Sequence, residues 1–450
     1  MKVISKNSLV DRIVRLSQAM RALYTGPHAD EILTLMAPSR HAVLRGQKSG
    51  LMGKLYLDPL AMNYELGNLS FLSRINKERT AVLKNANISN DDYIGLPTIV
   101  QTPDHSGTDM RYISPIRLFS AAPGDSLYNK TLEGLATFED YINAAVQVVR
   151  IQVEARSQVR YNSIKKQGET LESNYFVKRF TDSVDALMRY GKITMRDTFK
   201  QEMVSDWYSL VVQKLMRVPN FFTGYYFDGN PRHHIIDDGE RKIVSIDFEY
   251  KHGGVPLLIG ISNLLSFGVS PDKTADFEDG AITKIFDRIL LEMEFIDSLQ
   301  NNYFRKAKEI QDYIIRRREK NDNDLSGNDS DSFYKWMGSK MDIDAGKTHK
   351  QDFMHLWPYA KLQRAVEWAA HKTNYNRIYS SLIENKEQLQ QEGVMLGFKD
   401  PIAQNLIEQK YHLDAIVGTL DYLRSTQKNG SGETARRLLN RFNEIGRIYS

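Results

Sequence analysis

The apolar residues of this 450-residue chain follow two different periodicities, and the change from one to the other limits the possible folds. Short apolar runs at 31–37, 41–46 and 51–57 are separated by turn residues, which predicts an antiparallel meander of strands. From about residue 135 the apolar residues recur at helical spacing over long segments. The sequence therefore predicts an α+β protein in which most of the strands precede most of the helices.

Further segments complete this outline. Helices are predicted at 8–24 and 62–86, strands at 94–100 and 110–116, and a strand pair interrupts the later helices at 221–250. The predicted division is an N-terminal helix (1–30), a small mainly-β lobe (31–116), a larger helical lobe (117–319), a flexible polar loop (320–332) and a helical C-terminal part (333–450).

Composition excludes several classes of function. The chain has no Cys, which excludes disulfides, Cys-ligated zinc, Fe–S clusters and thiol nucleophiles. A net charge of +4 over 450 residues falls well short of a nucleic-acid-binding footprint. No window approaches eighteen apolar residues and the N-terminus does not resemble a signal peptide, so we expect no membrane span and a cytoplasmic location.

Two acidic residues, Asp228 and Asp247, frame the strand pair in "FFTGYYFDGNPRHHIIDDGERKIVSIDFEY", residues 221–250. Phosphoryl transfer needs a Lys for the nucleotide phosphates, a Glu that positions this Lys, one Asp for the acceptor hydroxyl and a second Asp for magnesium. Candidates occur in that order along the chain: Lys54 in the third strand, Glu78 on the next helix with Glu65 as its competitor, then Asp228 and Asp247.

The same stretch resembles the catalytic segment of the aminoglycoside phosphotransferase and choline kinase family. The likeness rests on Asp228, on Pro231, on the strand-turn-strand "IIDDGERKIVS" and on "IDFE" at 246–249. "GKLYL", "IGLPTIV" and "ISPIRLFSAAPGDSL" are similar to the family's ATP-binding strand, the strand after its first helix and its hinge. The resemblance implies a bilobal protein-kinase-like fold, with a small mainly-β N-lobe, a large helical C-lobe and a helical C-terminal extension.

The resemblance also implies a reaction and a set of roles. The reaction is ATP-dependent phosphorylation of a hydroxyl on a small-molecule acceptor, with Mg²⁺. Asp228 is then the catalytic base and Asp247 a magnesium ligand, with His233 at the second metal position. Lys54, held by Glu78, contacts the ATP phosphates, and the backbone around Ser114 and Ile116 meets the adenine.

Three departures from the family's pattern leave alternatives open. Tyr226-Phe227 replaces a His-Gly pair, His233 replaces an Asn, and Ile259 stands where an Asp usually braces the catalytic loop. A kinase-like protein without catalysis, acting as a nucleotide-binding scaffold or regulator, is the main alternative. A helical interaction protein without a nucleotide site is the third. If the adjacent His233 and His234 are both in a strand, they are expected to point to opposite faces, which disfavours a shared metal ion.

Overall fold

The computed structural model describes the placement of most of the chain. The described residues are 6–23, 30–36, 41–56, 59–85, 93–100, 116–155, 172–191, 197–217, 223–224, 226–237, 239, 242–249, 255–265, 279–300, 345–397, 401–427 and 430–449. The predicted flexible loop at 320–332 lies outside them.

Helices make up most of the described chain. They are α1 (Lys6–Leu23), α2 (Pro59–Asn85), α3 (Leu127–Leu132), α4 (Phe138–Glu154), α5 (Lys178–Tyr190), α6 (Asp197–Trp207), α7 (Gln213–Met216), α8 (Leu257–Leu265), α9 (Asp279–Gln300), α10 (Ala345–Glu384), α11 (Lys386–Gln391), α12 (Pro401–Thr426) and α13 (Gly430–Tyr449). Two π-helical segments adjoin them: Glu172–Val177 leads into α5, and Tyr208–Val212 joins α6 to α7.

The strands are short. They are β1 (Leu33–Leu35), β2 (Ala42–Gly46), β3 (Leu51–Leu55), β4 (Ile99–Val100), β5 (Ile116–Ser120), β6 (Asp125–Ser126), β7 (Thr223–Gly224), β8 (His234–Ile236), β9 (Ile243–Ser245), β10 (Val255–Pro256) and β11 (Val394–Leu396). Together with the helices they confirm the α+β class that the sequence predicts.

Six strands form one mixed sheet, which we call the first sheet, in the order β11-β1-β2-β3-β5-β4. The predicted meander is confirmed, because β1, β2 and β3 are antiparallel neighbours. Only the last two residues of the predicted strand 94–100 are in a strand, and the strand predicted at 110–116 begins at Ile116 within the described chain. Strand β5 lies between β3 and the edge strand β4.

Helix α1 covers the first sheet with the apolar face that its sequence predicts. Leu9, Ile13, Leu16 and Met20 recur every three or four residues and are at most 4% exposed. They join the inward-facing residues of β1 to β3 in one apolar cluster. A second, much larger cluster is formed mainly by the helices from α4 onward.

The C-terminal part of the chain contributes to both apolar clusters. The 40-residue helix α10 is about 60 Å long, and it buries Phe353 in the larger cluster and Leu382 in the cluster beneath the first sheet. After α11 the chain adds β11 to the sheet as a parallel neighbour of β1. The described residues of the predicted helical C-terminal part, 333–450, therefore pack into both apolar clusters.

Two small sheets border the loops that contain Asp228 and Asp247. Strands β8 and β9 are antiparallel neighbours with β6 on the other side of β8, and β7 pairs with β10. The loop 226–233 leads into β8, and the loop 246–249 follows β9. This arrangement matches the predicted strand pair and brings the segments that hold Asp228 and Asp247 to the same end of it.

Candidate active site

Lys54 lies at the centre of a buried charge cluster that three separate segments form. Its Nζ is 2.8 Å from Glu65 Oε2 on α2, 2.8 Å from Asp247 Oδ1 and 2.6 Å from Glu249 Oε1 in the loop after β9. The side chain of Lys54 is 9% exposed, and its ammonium lies 4.9 Å from the centre of the Tyr56 ring. One cation against three carboxylates leaves this cluster with a net charge of −2.

Electrostatics keep Lys54 and the two carboxylates after β9 ionised. Burial alone would lower the pKa of Lys54, but the attraction of Asp247, Glu65 and Glu249 outweighs it and holds the pKa well above its ordinary value. Burial would raise the pKa of Asp247, yet Lys54 and His233 lower it below its ordinary range. Burial and the repulsion of Asp247 would raise the pKa of Glu249, but its hydrogen bond with His41 and the charge of Lys54 lower it.

The loop that carries Asp247 is held in a strained conformation. Asp247 has a φ of 67°, and it is the sole non-glycine residue with positive φ in the described chain. Such strain persists only where the surroundings fix the backbone, and it concentrates at functional sites. Hydrogen bonds at the next residue fix the backbone here. The Phe248 N–H donates to Glu65 Oε1 at 3.2 Å, and Asn68 Nδ2 donates to the Phe248 carbonyl at 2.7 Å.

His233 connects the two acidic loops. Its Nδ1 donates to the backbone carbonyl of Asp228 at 3.0 Å, because a carbonyl can only accept. Its Nε2 lies 3.5 Å from Asp247 Oδ2. The loops that carry Asp228 and Asp247 therefore lie next to each other, with the imidazole of His233 between them.

Asn263 on α8 fixes the carboxylate of Asp228. Its Nδ2 donates to Asp228 Oδ1 at 2.5 Å. Its Oδ1 accepts hydrogen bonds from Arg364 Nε and from Trp368 Nε1, both on α10. These two donors set which end of the amide faces Asp228, since the oxygen must point toward them.

The residue that holds the Asp228 loop is therefore Asn263, one helical turn after Ile259 on α8. Ile259 itself is fully buried in the larger apolar cluster. Asn263 follows it by four residues and so lies on the same side of the helix. The signal was the polar pair Ser262-Asn263 inside the apolar run "LLIGISNLL".

A close approach of two glycines places α8 against the Asp228 loop. A Cβ on Gly229 would lie 2.4 Å from the carbonyl oxygen of Gly260, and a Cβ on Gly260 would lie 2.8 Å from that of Phe227. No side chain fits between these backbones. Glycine at both positions lets Asn263 reach Asp228.

Four of the seven predicted site residues come together: Lys54, Asp228, His233 and Asp247. The pairing of Lys54 with Glu78 is wrong. Glu78 is exposed, and Glu65 holds Lys54 instead. Glu65 lies on the same face of α2 as the buried Leu69, whereas Glu78 is on the opposite face.

The chain leaves the first sheet within the predicted hinge segment, 113–127, but beyond the residues predicted to meet the adenine. Ser114 lies outside the described residues, and Ile116 is the first residue of β5, paired with Leu55 on β3. The chain leaves the first sheet only after Ser120, through 121–124. There the Ala121 N–H donates to the carbonyl of Gly50 at 2.7 Å. Backbone groups of 121–124, rather than Ile116, lie at the exit of the sheet.

The carboxylates around Lys54 are suited to a hard divalent cation. One oxygen each of Glu65, Asp247 and Glu249 lies within 4.8 Å of the others. Mg²⁺ prefers carboxylate oxygens and few protein ligands, which Asp247, whose side chain is 36% exposed, and its neighbour Glu249 can supply. The imidazole of His233 is a poorer ligand for this ion.

Comparison of the chain with models of known protein families and with curated proteins found no match. In the part of the chain that the structure describes, no helix has the length and apolar character needed to cross a membrane. The functional interpretation therefore rests on the geometry of the site.

The two glutamates of α2 provide a matched test of the Lys54 assignment. Glu65→Ala is expected to lower the free energy of unfolding by about 3 kcal/mol, because a buried ion pair loses one partner. Glu78→Ala, on the exposed face of the same helix, is expected to change it by less than about 0.5 kcal/mol. Urea unfolding of both variants measures this difference, and equal effects would contradict the assignment.

Proposed function

We propose that this protein is an ATP-dependent phosphotransferase that phosphorylates a hydroxyl of a small molecule, on a bilobal protein-kinase-like fold. The observation that carries the proposal is that Lys54 pairs with Asp247, and that His233 joins the loop of Asp247 to the loop of Asp228. Few other chemistries require a buried Lys paired with a helix Glu and two acids at the ends of one strand pair.

The strand order supports the same proposal. Strands β1, β2, β3, β5 and β4 lie in that order, and α2 stands between β3 and β4 in the chain. Helix α2 thereby delivers Glu65 to Lys54, as the Glu of the first helix does in protein-kinase-like folds. The exit of β5 at 121–124 leads directly to α3 and the larger apolar cluster, as a hinge between two lobes would.

Each residue has a role in this proposal. Lys54 binds the phosphates of ATP, and Glu65 orients it. Asp247 and Glu249 would hold Mg²⁺, whose charge would offset the negative charge on the transferred phosphoryl group. Asp228 accepts the proton of the acceptor hydroxyl, and Asn263 keeps its carboxylate oriented toward the acceptor.

One observation favours a second candidate, a nucleotide-binding protein without catalysis. His233 stands in the position of the second metal ligand, and its Nδ1 is engaged with the Asp228 carbonyl. An imidazole there weakens the site for a second Mg²⁺. The two candidates share nucleotide binding and differ in turnover.

Calorimetry with Mg²⁺ and ATP tests the proposed nucleotide site. The wild-type chain is expected to bind ATP with an affinity that falls at least tenfold when Mg²⁺ is omitted, since Asp247 acts through the ion. Asp247→Ala is expected to lose this metal dependence. Asp421→Ala, which removes an exposed carboxylate of α12, is the matched control. Absence of metal-dependent ATP binding in the wild-type chain would overturn both candidates.

A further inference from the structure

An aromatic stripe on α10 lies beside Asp228. Trp368, His371, Tyr375 and Tyr379 follow one another at helical spacing, with ring centroids 5.7, 6.3 and 6.4 Å apart. Trp368 contacts Asn263, which holds Asp228, so this face of the helix lies next to the acid. His371 and Tyr375 are only half-buried, which leaves part of each ring accessible to a small molecule.

A guanidinium lies close to the same place. Arg179 on α5 packs 4.6 Å from the Tyr175 ring centre and 5.9 Å from that of Tyr226, two residues before Asp228. Its Nη1 donates to Glu367 Oε2 at 2.9 Å, and its side chain is 37% exposed. This is its single hydrogen bond to the described residues, so a fixed, partly exposed fork of N–H donors is left for a ligand.

Two carboxylates on α10 and α12, Glu367 and Glu408, are already engaged by buried partners. Glu367 is 1% exposed and also pairs with Arg364 at 2.5 Å, and Glu408 is fully buried against Lys372 and Tyr128. Burial would raise the pKa of Glu367, but Arg364 and Arg179 lower it, so the group is ionised. Neither carboxylate is accessible to a cationic ligand.

The charges on the Asp228 side of the site sum to a positive value. Four cations stand against three carboxylates and leave a net charge of +1: Arg179, Arg232, Arg364 and Lys372 against Asp228, Glu367 and Glu408. Burial, followed by the charge of Arg179, lowers the pKa of His371 to about 4, so this ring is neutral at pH 7. The metal side of the site around Lys54 has the opposite sign, −2.

We infer that the acceptor is an anionic hydroxy compound, a polyol that carries a carboxylate or phosphate group. Arg179 binds the anionic group, the rings of His371 and Tyr375 contact the carbon skeleton, and one hydroxyl points to Asp228. Cationic acceptors such as amino-alcohols are disfavoured because the partly exposed guanidinium of Arg179 repels them. This inference rests on the proposed phosphotransfer.

The transfer step balances with these groups. The acceptor hydroxyl oxygen forms a bond to the γ-phosphorus while the bond from that phosphorus to the β–γ bridging oxygen breaks, and its electron pair leaves with ADP. The hydroxyl proton passes to Asp228. Arg179 makes no bond in this step and acts as a specificity-determining residue.

Binding measured without nucleotide tests the inference separately from the transfer reaction. Calorimetry compares D-gluconate, D-glucose 6-phosphate, neutral D-sorbitol and choline on the wild-type chain, on Arg179→Gln and on Arg179→Lys. Arg437→Gln is the matched control, because Arg437 is similarly exposed and pairs with Asp206, which is not among the residues proposed to contact the acceptor. Comparing the affinities for D-gluconate and D-glucose 6-phosphate shows whether Arg179 prefers a carboxylate or a phosphate.

We expect at least one anionic polyol to bind more tightly than sorbitol and choline. Arg179→Gln is expected to weaken that binding about tenfold or more, Arg179→Lys to give an intermediate affinity, and Arg437→Gln to leave it unchanged. Tighter binding of choline or sorbitol, failure of both anions to bind, or anion binding that Arg179→Gln leaves intact would each overturn the inference. Metal-dependent ATP binding by Arg179→Gln is measured in parallel. If this binding is retained, the nucleotide site is intact and a loss of anion binding concerns the acceptor site alone.

Discussion

Asp228→Asn is expected to reduce the rate of phosphoryl transfer to the acceptor by about 10²- to 10⁴-fold, the usual contribution of a general base. The amide cannot accept the hydroxyl proton, but its oxygen can still accept the hydrogen bond from Asn263. The loop should therefore keep its structure, and the affinity for Mg²⁺ and ATP should stay within about twofold of the wild-type value. The measurement is ADP release in the presence of acceptor, together with ATP calorimetry.

The control for this variant is Asp421→Asn, which changes an exposed acid on α12 that pairs with Arg424. It should leave both rate and affinity unchanged. If Asp228→Asn retained the full transfer rate, Asp228 would not be the base. If transfer and ATP affinity fell together, Asp228 would contribute to nucleotide binding instead.

Lys54→Met is expected to lower the free energy of unfolding at pH 7 by about 3 to 5 kcal/mol, the usual effect of leaving buried charges without their partner. Methionine fills a similar volume, so the loss is mainly electrostatic. Glu65, Asp247 and Glu249 would then repel one another without a cation between them. Lys200→Met is the control, since Lys200 and Asp185 form a half-exposed pair that contributes at most about 1 kcal/mol.

The pH dependence of stability separates this electrostatic explanation from a packing defect. In the wild-type chain the pKa values of Asp247 and Glu249 are lowered, so their stabilisation is present above pH about 4 and is lost as the pH falls further. In Lys54→Met the crowded carboxylates have raised pKa values, so stability should increase as the pH falls from 7 to about 5. Millimolar Mg²⁺ should also stabilise this variant. A loss that neither acid nor Mg²⁺ relieves would contradict the electrostatic explanation.

Local sequence patterns were sufficient for the strands and helices that contain the site. The alternation in β2, "AVLRG", and the helical spacing in α1 are local features, and both elements have the buried faces that these patterns predict. Lys54 and Asp247 could be predicted for the same reason, because each is fixed by the strand that holds it or precedes it. The ion pair between Lys54 and Asp247 forms only in the folded chain, but the order of the two residues along the sequence already suggested that they belong to one site.

The contact partners of these site residues were harder to predict, because most of them are distant in sequence. Glu65 could have been chosen over Glu78 from its position four residues before Leu69 on the apolar face of α2. The dependence of Asn263 on Arg364, a hundred residues later in the chain, has no local signal. The pairing of β11 with β1 likewise joins segments some 360 residues apart, through a three-residue strand that resembles any short apolar run.

The proposed reaction is transfer of the γ-phosphoryl group of ATP to a small molecule at this site. It can be followed by ³¹P NMR of the wild-type chain with Mg²⁺ and ATP in the presence of anionic polyols. We expect a phosphate-monoester resonance to grow in step with the loss of the γ-phosphate signal and the appearance of ADP. ATP that binds the site but stays intact with every acceptor tested would contradict the proposed transfer and would leave a nucleotide-binding protein without catalysis.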